Sequence, residues 1–194
     1  MKRIHVTLVL VTAIFVAAFA ASASASTVGT LEVNLGYVKS STEATPNESL
    51  GGGIAFGAGY WRNASPTVMW GVEGSWDNLG SIEYDNGTTT DNKISASAIR
   101  INPALRVNFG SMVGPNFFAQ GGAGLYSVSG KVEDSVLGDA DDSSTEFGFN
   151  LGAGVGFPVG PKTRMNVMGQ YHSVATEGES TNYLAFRAGV GFGL

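Results

Sequence analysis

Apolar residues recur at every second position from Phe147 to Val159, all bulky but Ala153, where the chain reads FGFNLGAGVGFPV. Between them stand glycines, Asn150 and Pro158. Successive side chains of a strand point to opposite faces, so the segment predicts a strand with one greasy face and one nearly bare face. The same alternation returns along the chain. Val33, Leu35 and Tyr37 alternate with Glu32, Asn34 and Gly36, and Ile54, Phe56, Ala58 and Tyr60 with Gly53, Ala55, Gly57 and Gly59. Trp70, Val72 and Trp76 face away from Met69, Gly71, Glu73 and Ser75; Ile99, Ile101, Leu105, Val107 and Phe109 face away from Arg100, Asn102, Ala104, Arg106 and Asn108. Further strands are predicted over 116–128, 165–173 and 183–194, which makes eight in all. Each has about the 9–11 residues that a tilted strand needs to cross a bilayer, the fourth being longer.

The connections alternate between long (39–51, 77–92, 129–146, 174–182) and short (63–67, 110–115, 160–163). In an up-and-down meander, all the long loops then lie at one end and all the short turns at the other. Of the 16 acidic residues, 14 fall in the long loops, which leaves only Glu32 and Glu73 within strands. Strand cations are almost all arginine: Arg100, Arg106, Arg164 and Arg187 each lie opposite the apolar set of their own strand.

Two arrangements accept such a sheet. Either the apolar face turns inward, as in a secreted lipocalin-like barrel that binds a small ligand, or it turns outward into lipid around a polar interior. An arginine facing lipid at midplane costs about 2–4 kcal/mol, so in the second case the arginines are inside. The glycines favour that case. A face exposed to water suits Lys, Glu, Thr and Ser, and repeated glycine there only weakens the strand. The interior of an eight-stranded barrel is just wide enough for side chains to fill, and glycine makes room for the long ones.

The predicted fold class is therefore all-β, an eight-stranded antiparallel up-and-down transmembrane β-barrel. Its interior polar set is Glu32, Glu73, Arg100, Arg106, Asn150, Arg164, Gln170, His172 and Arg187. Aromatic residues form two interfacial bands: Tyr37, Trp76, Phe147, Tyr171 and Tyr183 toward the long loops, and Tyr60, Phe109, Phe117, Phe157 and Phe192 toward the short turns. Pro103 and Pro158 each remove a ladder donor and are expected near the short-turn rim. With Glu73 bonded to an arginine across the interior, the barrel is expected to be at best a poor channel.

The first 25 residues have the charged, apolar and small-residue regions of a secretory signal peptide, which assigns 1–25 to the leader and 26–194 to one barrel domain. Ala21 and Ala23 also satisfy the cleavage rule. No cysteine is present, so an exported chain must hold itself together without disulfides. Removing Lys2 and Arg3 with the leader leaves 9 basic against 16 acidic residues, a net charge of −7 that disfavours nucleic acid as a partner.

The closing stretch YLAFRAGVGFGL, an alternating apolar strand with an aromatic close to its end, resembles the eight-stranded outer-membrane barrels of the OmpA, OmpX and OmpW type, although this chain ends in Leu194 and not in an aromatic. The resemblance covers essentially the whole mature chain. It implies residence in the cell outer membrane, short turns in the periplasm, long extracellular loops, and contact with outer-membrane lipids, lipopolysaccharide and the assembly machinery that reads the last strand. A structural role with loops that present an adhesive or envelope-contact surface to an extracellular partner is the expected function. A small-solute pore and a lipid-modifying enzyme are the alternatives within that membrane.

Catalysis is not expected. Lipid A deacylase barrels use a His and a Ser, but His172 and Ser173 are neighbours in a strand and point to opposite faces. The third long loop offers oxygen ligands at Glu133, Asp134, Asp139, Asp141 and Asp142 without the spaced Asp and Gly of a calcium loop. No cofactor or metal site is expected.

Overall fold

A computed structural model describes residues 29–41, 43–45, 48–84, 92–110, 114–133, 140–176 and 180–194. The predicted leader, 1–25, lies outside the described residues. In chain order the strands are β1 (Gly29–Ser40), β2 (Glu43–Thr45), β3 (Glu48–Ser49), β4 (Gly52–Asn63), β5 (Val68–Tyr84), β6 (Asn92–Gly110), β7 (Asn116–Glu133), β8 (Ala140–Gly160), β9 (Thr163–Ala175) and β10 (Ser180–Gly193). Eight of them close into a barrel in the order β1-β10-β9-β8-β7-β6-β5-β4, every neighbour antiparallel. Closure joins β1 to β10 and leaves no strand edge open, which satisfies the backbone within lipid. Among the described residues no helix is long and apolar enough to cross a membrane.

The apolar set is on the outside. Leu35, Phe56, Ile99, Leu105, Leu151 and Phe186 are 55–64 % exposed, whereas Glu32, Glu73, Arg100, Arg187 and His172 are buried. A lipocalin-like arrangement would have the reverse, so that alternative is overturned by the direction of the faces.

Three expectations about the loops are corrected. The first long connection, 39–51, contains a small hairpin in which β2 pairs with β3. The connection 77–92 is mostly sheet, because β5 runs to Tyr84 and β6 begins at Asn92. The connection 129–146 is likewise mostly sheet: Lys93 pairs with Glu133, and Val132 with Ala140. Beyond the apolar band a strand no longer needs greasy residues on its outer face, so Ser, Asn, Lys and Asp occupy sheet positions that read as loop.

Two irregularities are locally forced. In β5 the register slips between Asn78 and Gly80, Gly80 takes a φ of 105° that suits only glycine, and the Asn78 side chain accepts the Gly80 N–H at 2.9 Å. Leu79 is the extra residue of this bulge and is buried. Gly110, with φ 99°, turns the chain out of β6. Pro158 sits at the short-turn rim next to a register shift. Pro103 does not: it lies mid-strand, pairs with Val72, and drops out of the β6–β7 ladder together with Asn102.

Candidate functional site

The inward positions of the strands build three levels inside the barrel. Nearest the short turns, Asn116 donates to Asn108 Oδ1 at 2.9 Å, while half-buried Arg164 donates to Asn116 Oδ1 and to the Gly114 carbonyl at 3.3 Å. Above them Arg106 of β6 reaches across to Glu32 of β1 in a bidentate pair, 2.8 and 3.1 Å, and donates through Nε to Gln120 at 2.9 Å. Its guanidinium lies 4.2 Å from the centre of the Trp61 ring and 4.6 Å from that of Phe118. A planar cation between two rings is dry on its faces and bonded at its edge, an arrangement that lysine cannot reproduce.

The third level is a chain of side chains that crosses most of the barrel. Arg100 is 3.4 Å from Glu73, 2.5 Å from Asn102 Oδ1 and 3.3 Å from Gln170 Oε1. Gln170 donates to Asn150 at 2.7 Å, and Asn150 to Tyr126 Oη at 3.1 Å. Tyr126 Oη lies 3.2 Å from His172 Nδ1, and the His172 ring stacks on Tyr183, 4.4 Å between centres and 5° from parallel. The Tyr183 hydroxyl donates to Asp77 at 3.0 Å, Asp77 pairs with Arg187, and Arg187 donates to Asn34 at 3.0 Å. Every barrel strand except β4 contributes; the inward face of β4 here is glycine at Gly53, Gly57 and Gly59.

At the long-loop end the interior becomes apolar. Val38, Ala55, Leu79, Ala98, Val174 and Ala185 pack with Tyr126 and Tyr183 into one buried cluster. Leu79 joins it on the inward parity of Glu73, Ser75 and Asp77, at the bulge of β5. This cap and the polar levels below it leave the buried carboxylates Glu32, Glu73 and Asp77 matched by Arg100, Arg106 and Arg187.

The glycines beneath these groups are spacers. A Cβ at Gly154 would stand 2.5 Å from the Phe118 ring, one at Gly148 2.8 Å from Tyr126, and one at Gly71 2.7 Å from Trp61. Each is shorter than van der Waals contact allows, so the bare wall is what lets the aromatics and arginines fit.

Of the residues singled out in the sequence, Glu32, Glu73, Arg100, Arg106, Asn150, Gln170, His172 and Arg187 are buried and Arg164 is half-buried. Tyr37, Tyr60, Phe109, Phe117, Phe147, Phe157, Tyr171 and Phe192 are exposed on the outer face, and Trp76 is half-buried there against Phe56, 5.4 Å between ring centres. Tyr183 is a correction. It is buried in the interior and not at the interface, because it shares the parity of Ala185 and Arg187. Asp77, read as a loop residue, is a buried partner of Arg187. The inward Trp61 and Phe118 also escaped notice, each hidden beside an outward aromatic, Tyr60 and Phe117.

His172 is buried and Ser173 lies on the opposite face, so the two do not form a nucleophile and base. Asp134 and Asp139 lie outside the described residues, and among the described residues no three acidic or histidine side chains gather as metal ligands.

The model of the family described as "Outer membrane protein beta-barrel domain" matches residues 6–193. Neisserial surface protein A shares 15% identity at a TM-score of 0.58, with 84% of this chain and 96% of that one covered. Ail, the attachment invasion locus protein of Yersinia pestis, solved with the heparin analogue sucrose octasulfate, shares 16% identity at a TM-score of 0.53, covering 86% of this chain and 99% of its own. The N-terminal barrel domain of Pseudomonas aeruginosa OprF shares 12% at 0.52, over 85% and 97%. No curated protein matches the chain in sequence. At these identities the similarity concerns the fold.

Proposed function

Because this chain belongs to the outer membrane protein β-barrel family and so resides in the cell outer membrane, we propose that it is a closed barrel whose specific work is contact between its outer ends and a surface beyond the cell. The observation that carries this reading is the filled interior. Two ion-paired levels and an apolar cap stand in any path along the axis, and breaking such a path requires uncovering buried charge. What remains accessible from outside is the long-loop end, where β5 to β8 extend past the apolar band.

The similarity to a surface protein and to an attachment protein supports contact over transport. The partner's charge differs from the one bound to Ail. With 13 of 16 acidic residues in the regions predicted as long loops once buried Asp77 is set aside, a sulfated polyanion meets like charge, and a neutral or basic surface suits this chain better. The alternative of a lipid-modifying enzyme built on His172 and Ser173 gains no support, since the two side chains lie on opposite faces of β9. Lipopolysaccharide surrounds the outer half, and β10 is the strand offered to the assembly machinery.

Two measurements test the reading together. Planar bilayers containing the folded protein should give no large, steady single-channel currents. Cells that display the intact barrel should adhere to a surface better than cells displaying a version with residues 85–91 and 134–139 shortened. Steady currents from wild type, with adherence unchanged by shortening, would replace contact by transport.

A further inference from the structure

Above the outer aromatic band, the face that lower down meets lipid changes its chemistry row by row. Cross-strand pairing sets Trp76 beside Ile99, Ile99 beside Ser127, and Ser127 beside Thr145. One step outward, the same pairing runs Asn78, Ser97, Ser129, Ser143 across four strands. The next row runs Ser81, Ser95, Lys131, Asp141. Residues two apart on a strand share a face, so these rows continue the outward face of Ile99 and Phe147. Over them lies a cleft of about 500 Å³, lined by Trp76, Asn78, Ser97, Ser129, Lys131 and Asp141 among others. That volume falls within the range of about 300–1,000 Å³ usual for small-molecule sites.

The lining selects its ligand. A continuous row of three hydroxyls and one amide can both donate and accept but carries no charge. An indole at one end offers a flat apolar surface, half-buried and already steadied by Phe56. The charged corner is no anion site: Lys131 is bonded to Glu133 at 2.5 Å, and Asp141 and Asp142 both line the cleft. A phosphate or sulfate would meet a net negative corner. A molecule with one apolar ring face, hydroxyls around its edge and no charge answers all three features, and that is a neutral pyranose.

We propose that this cleft binds a neutral pyranose sugar, its C–H face against Trp76 and its hydroxyls bonded to Asn78, Ser97, Ser129 and Ser143. The proposal rests on the surface-contact reading only for the origin of the sugar. Such a ring reaches this height as part of a glycolipid headgroup in the same leaflet or as a glycan on an opposing surface.

The protein is folded in an amine-oxide detergent, which brings no sugar headgroup, and titrated with maltose, lactose and cellobiose while the Trp76 indole N–H resonance is followed. A saturable shift, with affinity roughly millimolar, is expected for at least one sugar. Trp76→Ala should weaken it about tenfold, the scale of one aromatic contact. Ser97→Trp, which fills the cleft from an outward position and leaves the interior untouched, should abolish it; both variants should keep the heat-shifted band of a closed barrel. Sucrose octasulfate should bind more weakly than the neutral sugars. No saturable shift with any of the three, tighter binding of the sulfated sugar, or binding unaffected by both substitutions would overturn the assignment. Oligosaccharide released from the cell's own lipopolysaccharide, set against lactose, then assigns the origin by whichever binds tighter. Cells that still adhere through the barrel while the purified protein binds no sugar would sink the cleft and leave the contact reading standing.

Discussion

Replacing Glu32 by Ala isolates the electrostatic price of the Arg106 level. In the native barrel the Arg106 and Glu32 side chains are 8 % and 3 % exposed and joined by two bonds. Arginine does not shed its proton, so without the carboxylate a full charge stays behind. It cannot leave easily, because Trp61 and Phe118 hold its faces with cation–π contacts worth about 2 kcal/mol when desolvated. Gln120 still accepts from Nε but carries no charge. Removing one partner of a buried pair costs about 3–5 kcal/mol, whereas replacing both by apolar groups of similar volume is often neutral. Glu32→Ala should therefore lose about 3–5 kcal/mol, and Glu32→Leu with Arg106→Met should recover most of it. Reversible urea unfolding from lipid vesicles, read by tryptophan fluorescence, measures both. If the double variant is as unstable as the single one, or the single loses less than about 1 kcal/mol, the pair is solvated and the interior is not the dry, filled space described above.

Leu151, 61 % exposed on the outer face, should tolerate Phe but lose about 2–4 kcal/mol of assembly free energy as Arg, visible as loss of the heat-shifted band; equal behaviour of the two would reverse the face assignment. Gly154→Val drives a side chain into the Phe118 ring and against the Val167 carbonyl and the Met168 side chain, so refolding yield should fall and Phe118→Ala should recover only part of it, whereas a normal yield from Gly154→Val alone would mean the glycine is no spacer. Beyond the membrane, the Lys131 ammonium bonded to Glu133 holds that carboxyl below its ordinary range. The pair's contribution thus persists at pH values above the ordinary carboxylate range and is lost as pH falls through the lowered value; in Lys131→Ala the Glu133 carbon resonance should titrate at higher pH.

What the sequence made legible followed from a single rule. Two-residue alternation located all eight barrel strands, and the Arg100, Arg106 and Arg187 parities put those side chains in the interior where the structure has them. Tyr183 obeys the same rule, since its parity matches Arg187 and it is buried, although nearness to a strand end points to the interface. Asp77 and Leu79 obey it as well, sharing the inward parity of Glu73 and Ser75 and lying buried, but they stand where the outer face turns polar at Asn78 and so read as the start of a loop; the bulge between Asn78 and Gly80 breaks alternation only beyond them. The apolar cap was unreadable for a related cause: Val38, Val174 and Ala185 are short residues on an inward face otherwise recognised by glycine and charge. Which acid meets which arginine depends on strand stagger, and stagger leaves no mark on the pattern of one strand.

The ion pairs inside have a bearing on how the barrel finds its register. A slip of one residue between β1 and β10 would turn a whole strand inside out and is blocked by lipid, but a slip of two keeps every greasy residue outside. Lipid cannot tell that mistake from the native pairing. The interior can: two residues displace a strand by about 7 Å, enough to part Asp77 from Arg187 and Glu32 from Arg106. These partners are 110 and 74 residues apart in the chain and on strands that are not neighbours, so they meet only when the sheet curls and brings them face to face across the interior. The buried charges thus act as a lock whose teeth align at one stagger, and the seam of β1 on β10, where Asn34 accepts from Arg187, closes on a fully paired interior only at that stagger.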